Sequence, residues 1–305
     1  MSFESCVKRV SQRDWALVKN AWLSYIPPLD DAGQPPDFDL RQFVGLEQAV
    51  RETPETGEYR TGLPGFRECV LHEAVFALHK ASHVLGLAEH QATSGCPTWS
   101  LSTAYQSAFF AKEAVFRLLG IVLIEVSNRQ VLVDVWPEPP RGLKGKALRE
   151  YKLGEEIQLV QFPRLEHRHR WAIFKRALRV LENPPCNSEL VRLLDEIDEK
   201  EFARQRNAIH YTAAWLFDDL FAFYLPNGFF RLSDSVGVIR RLNEEAEDFS
   251  LVLATTLVWL GKKLMGDIAQ WSPIIENELQ LLGETLCMAR HPGWNESVLA
   301  YSWGA

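Results

Sequence analysis

The hydrophobic period of this chain changes abruptly at Gly120, which restricts the fold to a helical assembly carrying a small amount of sheet. Between Arg67 and His90, Val70, Leu71, Ala74, Leu78 and Leu85 fall on one face of a 3.6-residue repeat, predicting an amphipathic helix. Cys96-Pro97-Thr98 breaks it, Thr98 or Ser100 is the expected cap of a second helix running to Leu119, and Gly120 is its natural stop. Beyond Gly120 the period drops to two. Val122, Ile124 and Val126, then Val131, Val133 and Val135, alternate around Ser127-Asn128-Arg129-Gln130, predicting a β-hairpin closed by Trp136-Pro137.

Residues 1–67 read as an irregular N-terminal segment, in which Trp15–Leu23 makes a short helix and Pro27-Pro28, Pro35-Pro36 and Leu63-Pro64-Gly65 punctuate the rest. Its tryptophans are expected to pack on the bundle. After the hairpin, helices are expected over Leu165–Leu181, then from Ser188 through Tyr224 with a break near Asn207, and from Glu244 through Leu264. Another is expected over Pro273–Leu286. The fold class is therefore mainly α: a helical core over 68–225 with a hairpin inserted near 121–136, and a helical extension over 226–305.

The segment richest in chemistry is Arg204-Gln205-Arg206-Asn207-Ala208-Ile209-His210-Tyr211. A histidine can take a proton near neutral pH, and arginine offers a permanently charged planar fork that matches phosphate. These are the parts of a metal-free ribonuclease site, where a base activates a ribose 2′-hydroxyl and a cation stabilises the phosphoryl oxygens. On a regular helix Arg206, Asn207 and His210 share a face, while Arg204 lies about 120° from His210. The plainer reading is a polar helix surface with a histidine bonded in a helix interface.

A second segment, Ser102-Thr103-Ala104-Tyr105-Gln106-Ser107-Ala108-Phe109-Phe110-Ala111-Lys112 running on to Leu118-Leu119-Gly120-Ile121, precedes that motif. Together they resemble the HEPN superfamily of helical-bundle ribonucleases and RNA-binding proteins, in which an aromatic-rich helix ending in Leu-Gly-Ile precedes a helix carrying Arg, four to six residues, then His. The resemblance covers roughly 68–225 in pieces. Arg204 has the family's spacing to His210, whereas Arg206 carries the asparagine that often follows the family's arginine. Tyr211 follows the histidine directly, unlike the modified tyrosine of some toxin members. The resemblance implies a cytoplasmic, metal-independent endoribonuclease toxin or antiphage-defence effector. Its catalytic residues would be Arg204, Arg206, Asn207 and His210, in a groove formed by homodimerisation, and a regulatory antitoxin or defence-complex subunit would be its partner. The alternative is a non-catalytic HEPN-like protein that binds RNA or scaffolds a defence complex.

Charge and composition bound these readings. A net charge of -7 and a pI of about 5.7 argue against a protein that coats nucleic acid through its overall field. Locally, basic residues outnumber acidic ones from Arg141 to Arg179. There Arg164, Arg168, Arg170 and Lys175, beside Trp171, form the candidate RNA-binding surface, with a solvated helix over a core tryptophan as the plainer reading. The five cysteines are scattered and suggest reduced thiols. No long uncharged apolar run suggests a membrane span or a secretory leader. His72, His79, His83 and His90 lie within about 20° of one helical line, a weak metal candidate that no carboxylate cluster completes. No cofactor is expected, since no phosphate-binding glycine loop, H-E-x-x-H or G-x-S-x-G is present.

Overall fold

The computed structural model describes residues 3–25, 39–93, 96–139, 142, 144–147, 155–162, 167–181, 194–198, 200–211 and 249–269. They are mainly helical and include one four-stranded antiparallel sheet. Two compact units contain them, one drawn from 1–74 and 116–191, the other from 75–115 and 192–305.

In the first unit the expected hairpin is present. β2 (Ile121–Val126) pairs with β3 (Arg129–Asp134), joined by Ser127 and Asn128 at φ of 51° and 63°. Positive φ at both central residues is the geometry whose twist matches a two-residue hairpin. The hairpin is half of a larger sheet. β1 (Tyr59–Gly62) and β4 (Glu156–Phe162) complete the order β1-β4-β3-β2. Val122, Leu123, Ile124, Val131, Leu132 and Val133 are buried in succession, so both faces of these strands are covered.

Residues 1–67 depart from the irregular segment expected of them. They supply α1 (Phe3–Ser11), α2 (Trp15–Tyr25), a 3₁₀ turn (Leu40–Gln42), α3 (Leu46–Glu52) and β1. α1 buries Cys6, Val7 and Val10 and lies against β4 and the helix α6 (His167–Leu178). Its polar side reaches a fully buried carboxylate. Asp134, the last residue of β3, accepts a bond of 3.0 Å from Arg9 and a two-pronged bond from Arg13 at 2.8 and 2.5 Å. Gln158, opposite Asp134 on β4, accepts from Arg9 at 2.5 Å and donates to Glu58 at 2.6 Å. Burial alone would lower the Arg13 guanidinium, but Asp134 raises it above its ordinary value. Burial, reinforced by the charge of Asp134, pushes the neighbouring Cys6 thiol up to about 11.

Two long helices were expected around Cys96-Pro97, and α4 (Phe66–Thr93) and α5 (Pro97–Leu118) match them closely. α5 begins at Pro97, where a missing N–H costs nothing, so Thr98 and Ser100 stand inside the first turn rather than capping it. Gly120 then turns the chain into β2. Its φ is +77°, and a Cβ there would sit 2.5 Å from the Trp136 ring, so both conformation and space require glycine. Trp22 donates its indole N–H to the Leu118 carbonyl at 2.7 Å and meets Trp136 edge-on at 4.8 Å. Arg67 donates to the Val135 and Glu156 carbonyls, its guanidinium 4.2 Å from the Trp136 ring centre.

The second unit holds the rest of α4 and α5 together with α7 (Glu201–Tyr211) and α8 (Phe249–Ala269). Ser107 on α5 donates to the Ala81 carbonyl of α4 at 2.7 Å. α8 approaches α4 so closely that a Cβ on Gly261 would lie 2.8 Å from the end of Leu78. Phe249–Ile268 is long and apolar enough to cross a membrane, but 78% of that window is buried against protein, as in a core helix. α7 runs unbroken through Asn207; the helix break lies earlier, at Ile197 and Asp198, where Asp198 accepts from the Lys200 amide at 2.8 Å. The expected helices over 244–248 and 273–286, and 212–224 of the long helix, lie outside the described residues.

Asp134 is the pin of the first unit, so Asp134→Asn, leaving two arginines without their counter-charge, should cost about 3 kcal/mol. A fall in urea midpoint at constant slope would register it, and Arg13→Lys should cost less because charge is kept while the fork is lost. An unchanged Asp134→Asn midpoint contradicts this assignment.

Candidate functional site

Among the described side chains of α7, one is buried and four are exposed. Phe202 is buried and meets Phe249 of α8 at 6.2 Å, whereas Arg204, Asn207, His210 and Tyr211 are exposed. Arg206 lies one turn before His210 on this helix, with its side chain outside the described residues. Arg204 makes an exposed ion pair with Glu201, one turn earlier on its own helix.

His210 is exposed but held. Its Nε2 lies 2.7 Å from the Ser102 hydroxyl, and its ring meets Trp99 edge-on, centres 5.7 Å apart at 82°. Trp99 and Ser102 are three residues apart on α5, so they share a face and reach the imidazole together. Ser102 is only 5% exposed, while Trp99 is 45% exposed and Tyr211, its ring 6.3 Å from His210, is 76% exposed. The site is thus a fixed imidazole between two accessible aromatic rings, with Asn207 one turn away and Arg204 on the flank. Neither Trp99 nor Ser102 was singled out for chemistry from the sequence. The available signal was a tryptophan and a hydroxyl at i, i+3 in the first turns of α5, but their partner lies 108 positions along the chain.

The proposed RNA-binding stretch divides. Trp171 is fully buried on α6, edge-on to Phe174, which in turn meets Phe116, so it is a core residue and offers no stacking face. Lys175 is also buried, at 7% exposure, and Arg170 is half-buried. Arg168 lies on α6 with its side chain outside the described residues, and so does Arg164 altogether. Exposed Arg176 is engaged by Glu4 of α1 at 2.6 Å.

The histidine line on α4 is not an open polar face. His72 and His79 are buried and His83 and His90 half-buried, and among the described residues no three His, Cys, Asp or Glu side chains converge as metal ligands. Burial, helped by the charge of Lys262, lowers His79 to about 4, and burial also lowers His72 and Lys262. Burial raises Glu89 to about 7. Farther along α5, fully buried Lys112 sits 3.0 Å from Glu113 and 4.3 Å from the centre of the Phe109 ring. Cys6 and Cys69 are buried thiols and Cys96 is an exposed one.

No family model, curated protein or solved structure matches this chain.

His79 and Glu89 give opposing pH dependences. Folded His79 is protonated only near 4 against 6.5 ordinarily, so stability is lost as pH falls through that window. Folded Glu89 keeps its proton to about 7 against 4.5 ordinarily, so stability is lost as pH rises through that window. In urea titrations at several pH values, Glu89→Gln should therefore make stability climb more steeply with pH between 4.5 and 6.5. His79→Gln should do the reverse; variants with the wild-type slope contradict these assignments.

Proposed function

We propose that this chain is a cytoplasmic, metal-independent endoribonuclease built on a HEPN-like helical bundle. The observation that carries the reading is His210: an exposed imidazole held by Ser102 and Trp99, on a helix that also presents Asn207 and Arg204. A base needs both access to its proton and a fixed orientation, and these contacts supply both.

In the proposed reaction His210 takes the proton of a ribose 2′-hydroxyl, the 2′-oxygen bonds to phosphorus, and the bond to the 5′-oxygen breaks. The leaving 5′-oxygen takes a proton from the His210 imidazolium or from water, and the products are a 2′,3′-cyclic phosphate and a 5′-hydroxyl. Arg204 or Arg206 provides the cation for the phosphoryl oxygens, and Asn207 orients it. The pair of Arg204 with Glu201 is exposed, and such pairs are weak enough to yield to a bidentate phosphate. Trp99 and Tyr211 offer rings to unpaired bases beside the scissile bond. By resemblance, two copies build the groove, the biological role is that of a toxin or antiphage effector, and a regulatory protein restrains it.

A second reading, a non-catalytic RNA-binding or scaffold subunit of a defence complex, is favoured by the Arg204–Glu201 pair and the net charge of -7. The two readings part on one comparison. With EDTA present and oligomeric state followed by light scattering, dimeric wild type should cleave a mixed RNA pool, and His210→Ala should be at least about 100-fold slower. Equal rates, or no cleavage by folded dimeric wild type, would favour the scaffold.

A further inference from the structure

Ser102 stands behind the imidazole of His210, and its placement decides which ring nitrogen is available for chemistry. Resting on the ribonuclease reading, we propose that Ser102 is a positioning residue that holds Nε2 and leaves Nδ1 as the atom that exchanges the proton with substrate. The two nitrogens of an imidazole point to different flanks of the ring, and the hydrogen bond on one fixes the role of the other. Here Nε2 is 2.7 Å from the oxygen of Ser102, a residue only 5% exposed, whereas His210 is exposed.

For Nδ1 to act as a base its lone pair must be vacant, so the neutral ring carries its proton on Nε2 and donates it to the Ser102 oxygen. When Nδ1 takes the 2′-hydroxyl proton, the imidazolium keeps that same bond. No atom in the contact has to move between the two protonation states, which is the preorganisation a proton-transfer group requires. Trp99, one turn earlier on α5 and edge-on to the ring at 82°, limits its rotation.

The same pair of side chains in a serine hydrolase would make the serine a nucleophile and the histidine its base. Burial argues otherwise here: an attacking oxygen must face substrate, and Ser102 is a buried residue while His210 is an exposed one.

The test uses the full chain labelled with ¹⁵N, the His210 signals being identified by their loss in His210→Ala. Long-range ¹H–¹⁵N spectra should show one neutral tautomer, with the proton on Nε2, in the wild type. Ser102→Ala should lower kcat about tenfold with KM nearly unchanged, the size expected for loss of a partner that orients a reacting histidine, and Ser102→Thr should recover most of it. A proton on Nδ1 in the neutral wild type, or an unchanged kcat in Ser102→Ala, overturns the proposal. Loss of all activity in folded Ser102→Ala, together with a covalent phosphoryl adduct on Ser102 in the wild type, would overturn it too, in favour of a nucleophilic serine. A wild type that cleaves no RNA instead overturns the ribonuclease reading and the catalytic role of Nδ1 with it, while the spectrum still decides whether Ser102 fixes the ring.

Discussion

The first unit depends on a fully buried carboxylate. Asp134 ends the central hairpin fully buried, and a charge there persists only if opposite charge is brought to it. Arg9 and Arg13 meet that need from α1 and the turn that follows it, and Gln158 extends the network across the strand pair. The amino-terminal helix is thereby tied to the sheet in one register. Arg67 does a similar service for the strand ends with neutral acceptors, its guanidinium taking two carbonyls while lying over Trp136. Around these polar anchors the tryptophans fill space, and Gly120 lets α5 turn into β2 directly beneath Trp136.

Much of the helical framework was legible because its signals are local. The apolar stripe of α4, the break at Cys96-Pro97, the glycine closing α5 and the alternation of β2 and β3 each follow from residues a few positions apart. What was hidden depends on distant partners. α1 mixes Glu4, Lys8 and Arg9 with its apolar residues, and Arg9 reads as a solvent charge until Asp134, 125 positions later, comes to meet it. β1 has four residues and no buried side chain, so it carries no pattern of its own and exists only by pairing with β4. β4 buries Ile157, Gln158, Leu159 and Val160 in succession, so it shows no clean alternation, and a surrounding run of basic residues masked it further.

The candidate site divides the same way. Helical spacing groups Asn207 with His210, and the resemblance adds Arg204; α7 leaves all three side chains exposed. Trp99 and Ser102 were missed because nothing near them in sequence points to a histidine. Trp171 and Lys175 were misplaced for the opposite reason: cations beside an aromatic residue resemble an RNA-facing surface, but one helix can put its tryptophan and the stem of its lysine into the core. Proximity in sequence defined charge well and exposure poorly.

The chemistry of the cut ends tests the central claim most directly. If His210 acts on the ribose 2′-hydroxyl, RNA cleaved by the wild type in EDTA should carry 2′,3′-cyclic phosphate and 5′-hydroxyl ends, and a substrate with 2′-deoxyribose at the cleaved position should resist cutting. Ends bearing 3′-hydroxyl and 5′-phosphate, or equal cutting of the deoxy-substituted substrate, would contradict it, since water rather than the ribose would then be the nucleophile.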